Sequence, residues 1–141
     1  MILMCPPAKV SVRFFHPQID PSEISATLGI VAKHGWRAGD QRSTPKGTRL
    51  PGKRLESYWC GDLAAAPDES LADLLERWVK ILRPHAEWLA EVRHSGGRVE
   101  FYLALIGTQN AGDSVPSGAL AEIGKLGIDL GIEIFSTSQS D

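Results

Sequence analysis

The sequence predicts a single α+β domain in which helices pack on one face of an antiparallel or mixed β-sheet. Apolar residues alternate along segments at both ends of the chain, and they recur at three- and four-residue spacing between those segments. The chain has 141 residues, 43% of them hydrophobic and 23% charged, which is enough for one core without disulfides or a metal. Because each strand has one apolar face, helices must cover that face.

The predicted element order is β-α-β-β-α-β-α-β. Its first six elements match a ferredoxin-like βαββαβ core, to which one αβ unit is added. The whole chain, 1–141, is expected to form one domain, with frayed ends at 1–8 and 136–141.

The first strand is predicted from the alternation of Val10, Val12 and Phe14 with their neighbours. A helix at 21–28 follows, because a full set of helix-end signals surrounds it. The set comprises an N-cap, a proline at the first helical position, an acid at the third, a hydrophobic staple and a glycine C-cap: Asp20, Pro21, Glu23, Ile19 with Ile24, and Gly29.

The middle of the chain predicts two short strands, at 31–37 and 54–60, on either side of a long basic loop at 38–53. The loop is predicted because prolines and glycines interrupt any regular hydrogen bonding: Gly39, Pro45, Gly47, Pro51 and Gly52. Loops of this length inside a compact domain are usually functional or mobile.

The second half predicts a long amphipathic helix from 71 to 92, capped by Asp68 or Ser70 and kinked at Pro84. A strand at 98–106, a polar turn at 108–115, a helix at 117–126 and a last strand from 128 follow. If the long helix covers the sheet, it buries its apolar side chains together with those of the last strand, namely Leu74, Trp78 and Leu82 with Ile132 and Ile134.

The composition also bears on the compartment. There are two cysteines, Cys5 and Cys60, without a C-x-x-C pair, and this usage favours a reducing environment. No apolar run approaches the roughly 20 residues of a membrane helix. A cytoplasmic protein without membrane association is therefore expected.

Several stretches, taken in order, resemble the bacterial domain of unknown function 4279 over about residues 9–135. They are V-S-V-R-F, D-P-S-E-I-S-A-T-L-G, W-R-A-G-D, S-Y-W, L-x-x-L-L-x-x-W and L-G-I-D-L-G-I-E-I-F. The resemblance implies a compact α+β domain with no established activity, cofactor or catalytic residues to carry over. It also implies a bacterial protein, for which immunity-type roles have some association.

The strongest functional signal is the charge distribution. Residues 33–54 carry seven basic residues and one acidic residue, a net charge of +6, whereas the rest of the chain carries −8. A non-enzymatic binding module of the immunity or accessory type, meeting an acidic protein surface through 37–54, is the first interpretation. The residues expected to contact this partner are Trp36, Arg37, Arg42, Lys46, Arg49, Lys53 and Arg54.

Two alternatives stay open. Nucleic acid binding through the same loop is less favoured, because the acidic remainder of the chain repels phosphates. An enzyme would use a cleft lined by Arg37, Asp40 and Cys60. Gly39 and Asp40 are more simply interpreted as turn residues.

No catalytic residue, metal or cofactor is expected. The four histidines and two cysteines lack the spacing of metal ligands, and no phosphate-binding or nucleophile motif occurs. The sequence leaves the oligomeric state open, a homodimer included.

Overall fold

The computed structural model describes residues 9–106 and 113–135, and it confirms the α+β class. The predicted frayed ends, and most of the predicted turn at 108–115, lie outside the described residues. The strands are β1 (Lys9–His16), β2 (His34–Trp36), β3 (Gln41–Ser43), β4 (Arg49–Lys53), β5 (Ser57–Asp62), β6 (Arg98–Ile106) and β7 (Ile128–Phe135). The helices are α1 (Pro21–Leu28), α2 (Leu71–Leu82), α3 (Ala86–His94) and α4 (Ser117–Lys125).

The main sheet has five strands in the order β2-β5-β1-β6-β7, and it is mixed. The first four strands are antiparallel neighbours, whereas β7 pairs parallel to β6. β5 lies between β1 and β2, as a split βαβ arrangement requires. The finer ferredoxin-like assignment stays a prediction, because the separate β3–β4 sheet interrupts the connection from β2 to β5.

The helix ends follow local hydrogen bonds. Helix α1 has the predicted bounds: the Asp20 carboxylate accepts from the Ser22 amide at 3.0 Å, and Gly29 adopts the left-handed conformation with φ of 69°. Ser70, not Asp68, caps α2, since its hydroxyl accepts from the Asp73 amide at 3.1 Å. A 3₁₀ turn containing Pro84 separates α2 from α3.

The helices cover one face of the main sheet. Phe14 and Trp59 from the sheet and Trp78 from α2 are fully buried between the two layers. The Trp78 indole donates to the Val10 carbonyl at 3.3 Å, which ties α2 directly to β1. The opposite face carries no helix among the described elements, and we call it the open face.

The last strand departs from expectation. Leu74, Trp78 and Leu82 are buried as predicted, but Ile132 and Ile134 are 61% and 73% exposed. Both lie on the helix side of the sheet, in register with Leu103 and Leu105 of β6. β7 is an edge strand, and burial on it is confined to Ile128 next to α4. Alternation identifies the apolar face of a strand but not whether a helix reaches it, so the prediction of burial was wrong.

The prediction of an irregular loop at 38–53 was also wrong, because these residues contain the β3–β4 hairpin. Its turn is closed by the Gly47 amide, which donates to the Thr44 carbonyl at 2.8 Å, and Gly47 has a φ of 89°. Pro51 is tolerated because a two-stranded ribbon leaves backbone groups unpaired on its outer sides. Gly52, with a φ of 86°, lies where the register shifts.

Truncating Leu74 to alanine is expected to lower the free energy of unfolding by about 2–5 kcal/mol, because the side chain is 3% exposed and its removal leaves a cavity. Urea unfolding measures the effect. Leu55→Ala, on a side chain that is 96% exposed, is the matched control and should cost less than about 0.5 kcal/mol. Equal losses in both variants would contradict the observed burial.

In the described ranges, no helix combines the length and the apolar character needed to cross a membrane.

Candidate functional site

The open face displays polar and aromatic side chains because strand residues alternate between the two faces. In β1, Val12 and Phe14 lie in the core, and Arg13 and Phe15 therefore lie on the open face. The pairing of β1 with its neighbours places Phe15 opposite Tyr58 on one side and Arg98 on the other.

Five side chains stack side by side across the open face, and we call them the aromatic row: Arg54, Trp36, Tyr58, Phe15 and Arg98. The guanidinium carbon of Arg54 lies 3.6 Å from the centre of the Trp36 ring. The ring centres of Trp36 and Tyr58 are 4.7 Å apart, and those of Tyr58 and Phe15 are 5.2 Å apart. Arg98 completes the row, 3.9 Å from the centre of Phe15. Three half-buried rings thus lie between two cations.

Arg13 supports the row from the next position along the sheet. Its guanidinium lies 4.1 Å from the centre of the Tyr102 ring, and its Nε donates to the Tyr58 hydroxyl at 3.0 Å. It also pairs with Glu100 at 3.3 Å. Burial alone would lower the pKa of Arg13, but the hydrogen bonds and charge of Tyr58 and Glu100 raise that pKa above its ordinary value.

The two tyrosines are weak acids in this setting. Burial raises the pKa of Tyr58, although the hydrogen bond from Arg13 opposes the shift. The pKa of Tyr102 is raised because its hydroxyl donates to the Glu133 carboxylate. Both shifts favour the protonated form of the phenols.

The basic hairpin, residues 41–53, is attached to the aromatic row through Arg54. The Arg54 guanidinium donates to the Ser43 carbonyl at 3.3 Å while it stacks on Trp36. Its backbone amide and carbonyl bond to Asp40 and Gly39, each at 2.8 Å. The other predicted contact residues of the hairpin are exposed on it: Arg42, Lys46, Arg49 and Lys53.

Arg37 lies apart from the other predicted contact residues. Its guanidinium turns towards α1, where it lies 3.5 Å from the Asp20 carboxylate and 3.4 Å from the Gln18 carbonyl. The residues after it form a turn: the Asp40 carboxylate accepts from the Arg37 amide at 2.8 Å, and Gly39 has a φ of 92°.

A cleft of about 540 Å³ lies beside Arg37, between α1 and α3. It contains His16, but this histidine has a structural role. Its Nδ1 accepts from the amides of Gln18 and Ile19 at 3.0 and 2.9 Å, so the proton resides on Nε2, which faces Ser95 at 2.9 Å. Both nitrogens are occupied by the protein itself.

The residues of the enzyme alternative do not line one cleft. Arg37 lines the cleft, Asp40 closes its turn, and Cys60 is buried within the sheet opposite Arg13 and His34. Among residues 9–106 and 113–135, no three His, Cys, Asp or Glu side chains cluster as metal ligands would. The described geometry therefore offers no converging nucleophile, base and acid.

The sequence singles out Trp36, Arg54 and the cations at 42–53 as candidate contact residues, but it does not indicate the other side chains of the open face. The missed residues are Arg13, Phe15, Tyr58, Arg98 and Tyr102. The signal for Phe15 was available, since a large aromatic residue occupies the outward position of a strand whose inward positions are already apolar. The adjacency of Phe15, Tyr58 and Trp36 depends on strand pairing, which no local pattern supplies.

The carboxylate of Asp20, which caps α1, makes the free energy of unfolding depend on pH. Hydrogen bonds from the amide and hydroxyl of Ser22, with the charge of Arg37, lower the pKa of Asp20. Because the folded pKa is the lower one, this stabilisation is complete above the unfolded pKa of about 3.9 and is lost as pH falls through the folded pKa. Asp20→Asn retains a cap but should remove this part of the acid dependence.

The midpoint of urea unfolding, determined from about pH 6 down to about pH 2 for the wild type and for Asp20→Asn, measures this pH dependence. Asp129→Asn on β7 is the control. An unchanged pH profile for the Asp20 variant would contradict the role of the carboxylate.

A family model described as Domain of unknown function (DUF4279) matches residues 6–136, which is most of the chain. No curated protein and no solved structure matches it.

Proposed function

The chain belongs to the DUF4279 family, and we propose that it is a non-enzymatic binding module that meets an acidic protein surface through the basic hairpin and the aromatic row. The observation that carries this proposal is the row itself, in which Trp36, Tyr58 and Phe15 stack between Arg54 and Arg98 on a sheet face that no described helix covers.

Aromatic and arginine side chains on a rigid support suit protein recognition. Trp, Tyr and Arg are the residues most enriched at the energetic centres of interfaces. Rings that are already stacked lose little conformational entropy on binding, because neighbouring strands hold Phe15, Tyr58 and Trp36 in place. The aromatic row therefore supports a role of the open face as the energetic centre of a protein interface.

The hairpin supplies long-range attraction. Its exposed cations belong to the stretch 33–54 of net charge +6, while the rest of the chain carries −8. An acidic partner is therefore drawn to the hairpin end of the molecule, and salt screens that attraction.

The stacking disfavours single-stranded nucleic acid as the partner. A base needs a free ring face. Arg54 and Tyr58 lie 3.6 and 4.7 Å from the centre of the Trp36 ring and cannot share one face, so both faces are covered. Phe15 lies between Arg98 and Tyr58, and Arg13 covers one face of Tyr102. An acidic protein surface needs no such insertion, because carboxylates pair with the guanidinium groups at the ends of the row.

The proposal extends to a bacterial cytoplasmic setting and to an immunity or accessory role. The buried thiol of Cys60 is free, which suits a reducing compartment.

The test compares two anionic probes of equal charge, poly-glutamate and a single-stranded oligodeoxynucleotide, by fluorescence anisotropy at two ionic strengths. Poly-glutamate should bind more tightly, with an affinity that falls as salt rises. Tighter binding of the oligonucleotide would favour the nucleic acid alternative, and no binding of either probe would overturn the proposal.

A further inference from the structure

The edge strand β7 leaves a row of large apolar side chains exposed. Leu130 is 39% exposed, and the exposed fraction rises along the strand to 61% at Ile132 and 73% at Ile134. Phe135, at the end of the strand, is 44% exposed on the other face. The remaining exposed large apolar residues of the described chain lie elsewhere, as Val31 and Leu55 do, or on α4, as Leu120 does.

None of the described strands pairs with the outer edge of β7. The strand has eight residues, lies at the end of the main sheet and contains no proline or lysine. Edges of this kind pair with further strands unless charge or irregular geometry prevents it. Its two acids lie on the open face, where Glu133 accepts from the Tyr102 hydroxyl and thus leans away from the edge. Nothing in β7 itself protects the helix side.

We propose that β7 pairs antiparallel with β7 of a second copy, about a two-fold axis that passes through Ile132. Side chains opposite each other across such a pair lie on the same face. With Ile132 opposite itself, Leu130 lies opposite Ile134 of the second copy, so the three exposed apolar residues of one chain meet those of the other. The same patch thus serves both sides, as a two-fold interface requires.

The charges of the two acids on β7 favour an axis through Ile132 over an axis through the adjacent residue, Gly131. An axis through Gly131 would place Asp129 directly opposite Glu133 of the second copy, and like charges in that position are destabilising. With the axis at Ile132, Asp129 lies opposite Phe135, and Glu133 lies opposite Gly131. If one strand slipped by a single residue relative to the other, apolar residues of one copy would lie opposite acids of the second copy. The helix side of one sheet would then adjoin the open face of the other.

The interface is small. Two edge backbones and a few large side chains from each copy bury an area near the lower limit of about 1,200 Å² for specific interfaces. A reversible dimer is therefore expected, not a permanent one. The sheet becomes continuous across the two copies, with both open faces on one side. The two β5 strands are then about 34 Å apart, at about 4.8 Å per strand. On the proposed function, the dimer would present two aromatic rows to one partner.

Sedimentation velocity over a concentration series tests the pairing. The wild type should dimerise, and Ile132→Glu should weaken dimerisation at least about tenfold, because two carboxylates would face each other at the axis. Ile132→Lys should do the same. An equimolar mixture of the two variants should regain dimers, since position 132 then brings opposite charges together.

Leu55→Glu, on a side chain that is 96% exposed and lies away from β7, is the control and should dimerise like the wild type. Thermal unfolding of each variant shows that it is folded. A monomeric wild type would overturn the proposal. So would a dimer that Ile132→Glu leaves intact, or a mixture that stays monomeric.

Discussion

Replacing Trp59 with alanine is expected to lower the free energy of unfolding by about 3–5 kcal/mol. The side chain is fully buried and meets Phe14 edge to face, with ring centres 5.6 Å apart. Its indole donates to the Ser25 hydroxyl at 2.9 Å and thereby joins β5 to α1. Truncation removes that bond and leaves a large cavity, which a domain of ordinary stability tolerates poorly. Urea unfolding followed by circular dichroism measures the loss.

Trp36→Ala provides the matched comparison, because this tryptophan lies on the open face and is half-buried. Its loss removes the stacking on Arg54 and Tyr58, and about 1 kcal/mol is expected. If the two alanine variants were equally destabilised, Trp36 would belong to the core, and the division of the sheet into a covered and an open face would be wrong.

Reversing Arg42, Arg49 and Lys53 to glutamate is expected to slow association with an acidic polypeptide by about 10- to 100-fold at low salt. All three side chains are exposed on the basic hairpin, and their charges lie outside the core. Arg54 is kept, because it stacks on Trp36 and bonds Ser43. Stopped-flow kinetics with poly-glutamate at two ionic strengths measures the rate, and the difference from the wild type should shrink as salt rises.

The control reverses three exposed cations on the helical side, Lys80, Arg83 and Lys125. Both triple variants change the net charge by the same amount, so a general charge effect would slow them equally. Equal rates for the two variants would show that the hairpin has no special part in recognition.

Much of the fold was predictable because its signals are local. The caps of α1 and the apolar stripe from Leu71 to Val92 fix helices irrespective of their neighbours. The hairpin at 41–53 was missed because Pro51 and Gly52 normally break strands, and only the freedom of an isolated ribbon admits them. The exposure of Ile132 could not be predicted either, because it depends on the position of β7 in the sheet.

The candidate site was half predictable for the same reason. A cluster of basic residues is contiguous in the sequence, so the charge at 33–54 was evident without a structure. The aromatic row combines residues of β1, β2, β5 and β6 with Arg54, which follows β4. Phe15 comes within reach of Trp36 only because β5 lies between β1 and β2. The row therefore depends on the order of the strands in the sheet.

The indole N–H signals of the four tryptophans test the central claim most directly, because three of these side chains lie on the helical side of the sheet and one on the open face. In a titration with an acidic polypeptide followed by nuclear magnetic resonance, the signal of Trp36 should move. Those of Trp59, Trp78 and Trp88 should stay in place. Movement of the Trp88 signal, with Trp36 unaffected, would place the binding site in the cleft between α1 and α3 and would contradict the proposed role of the open face.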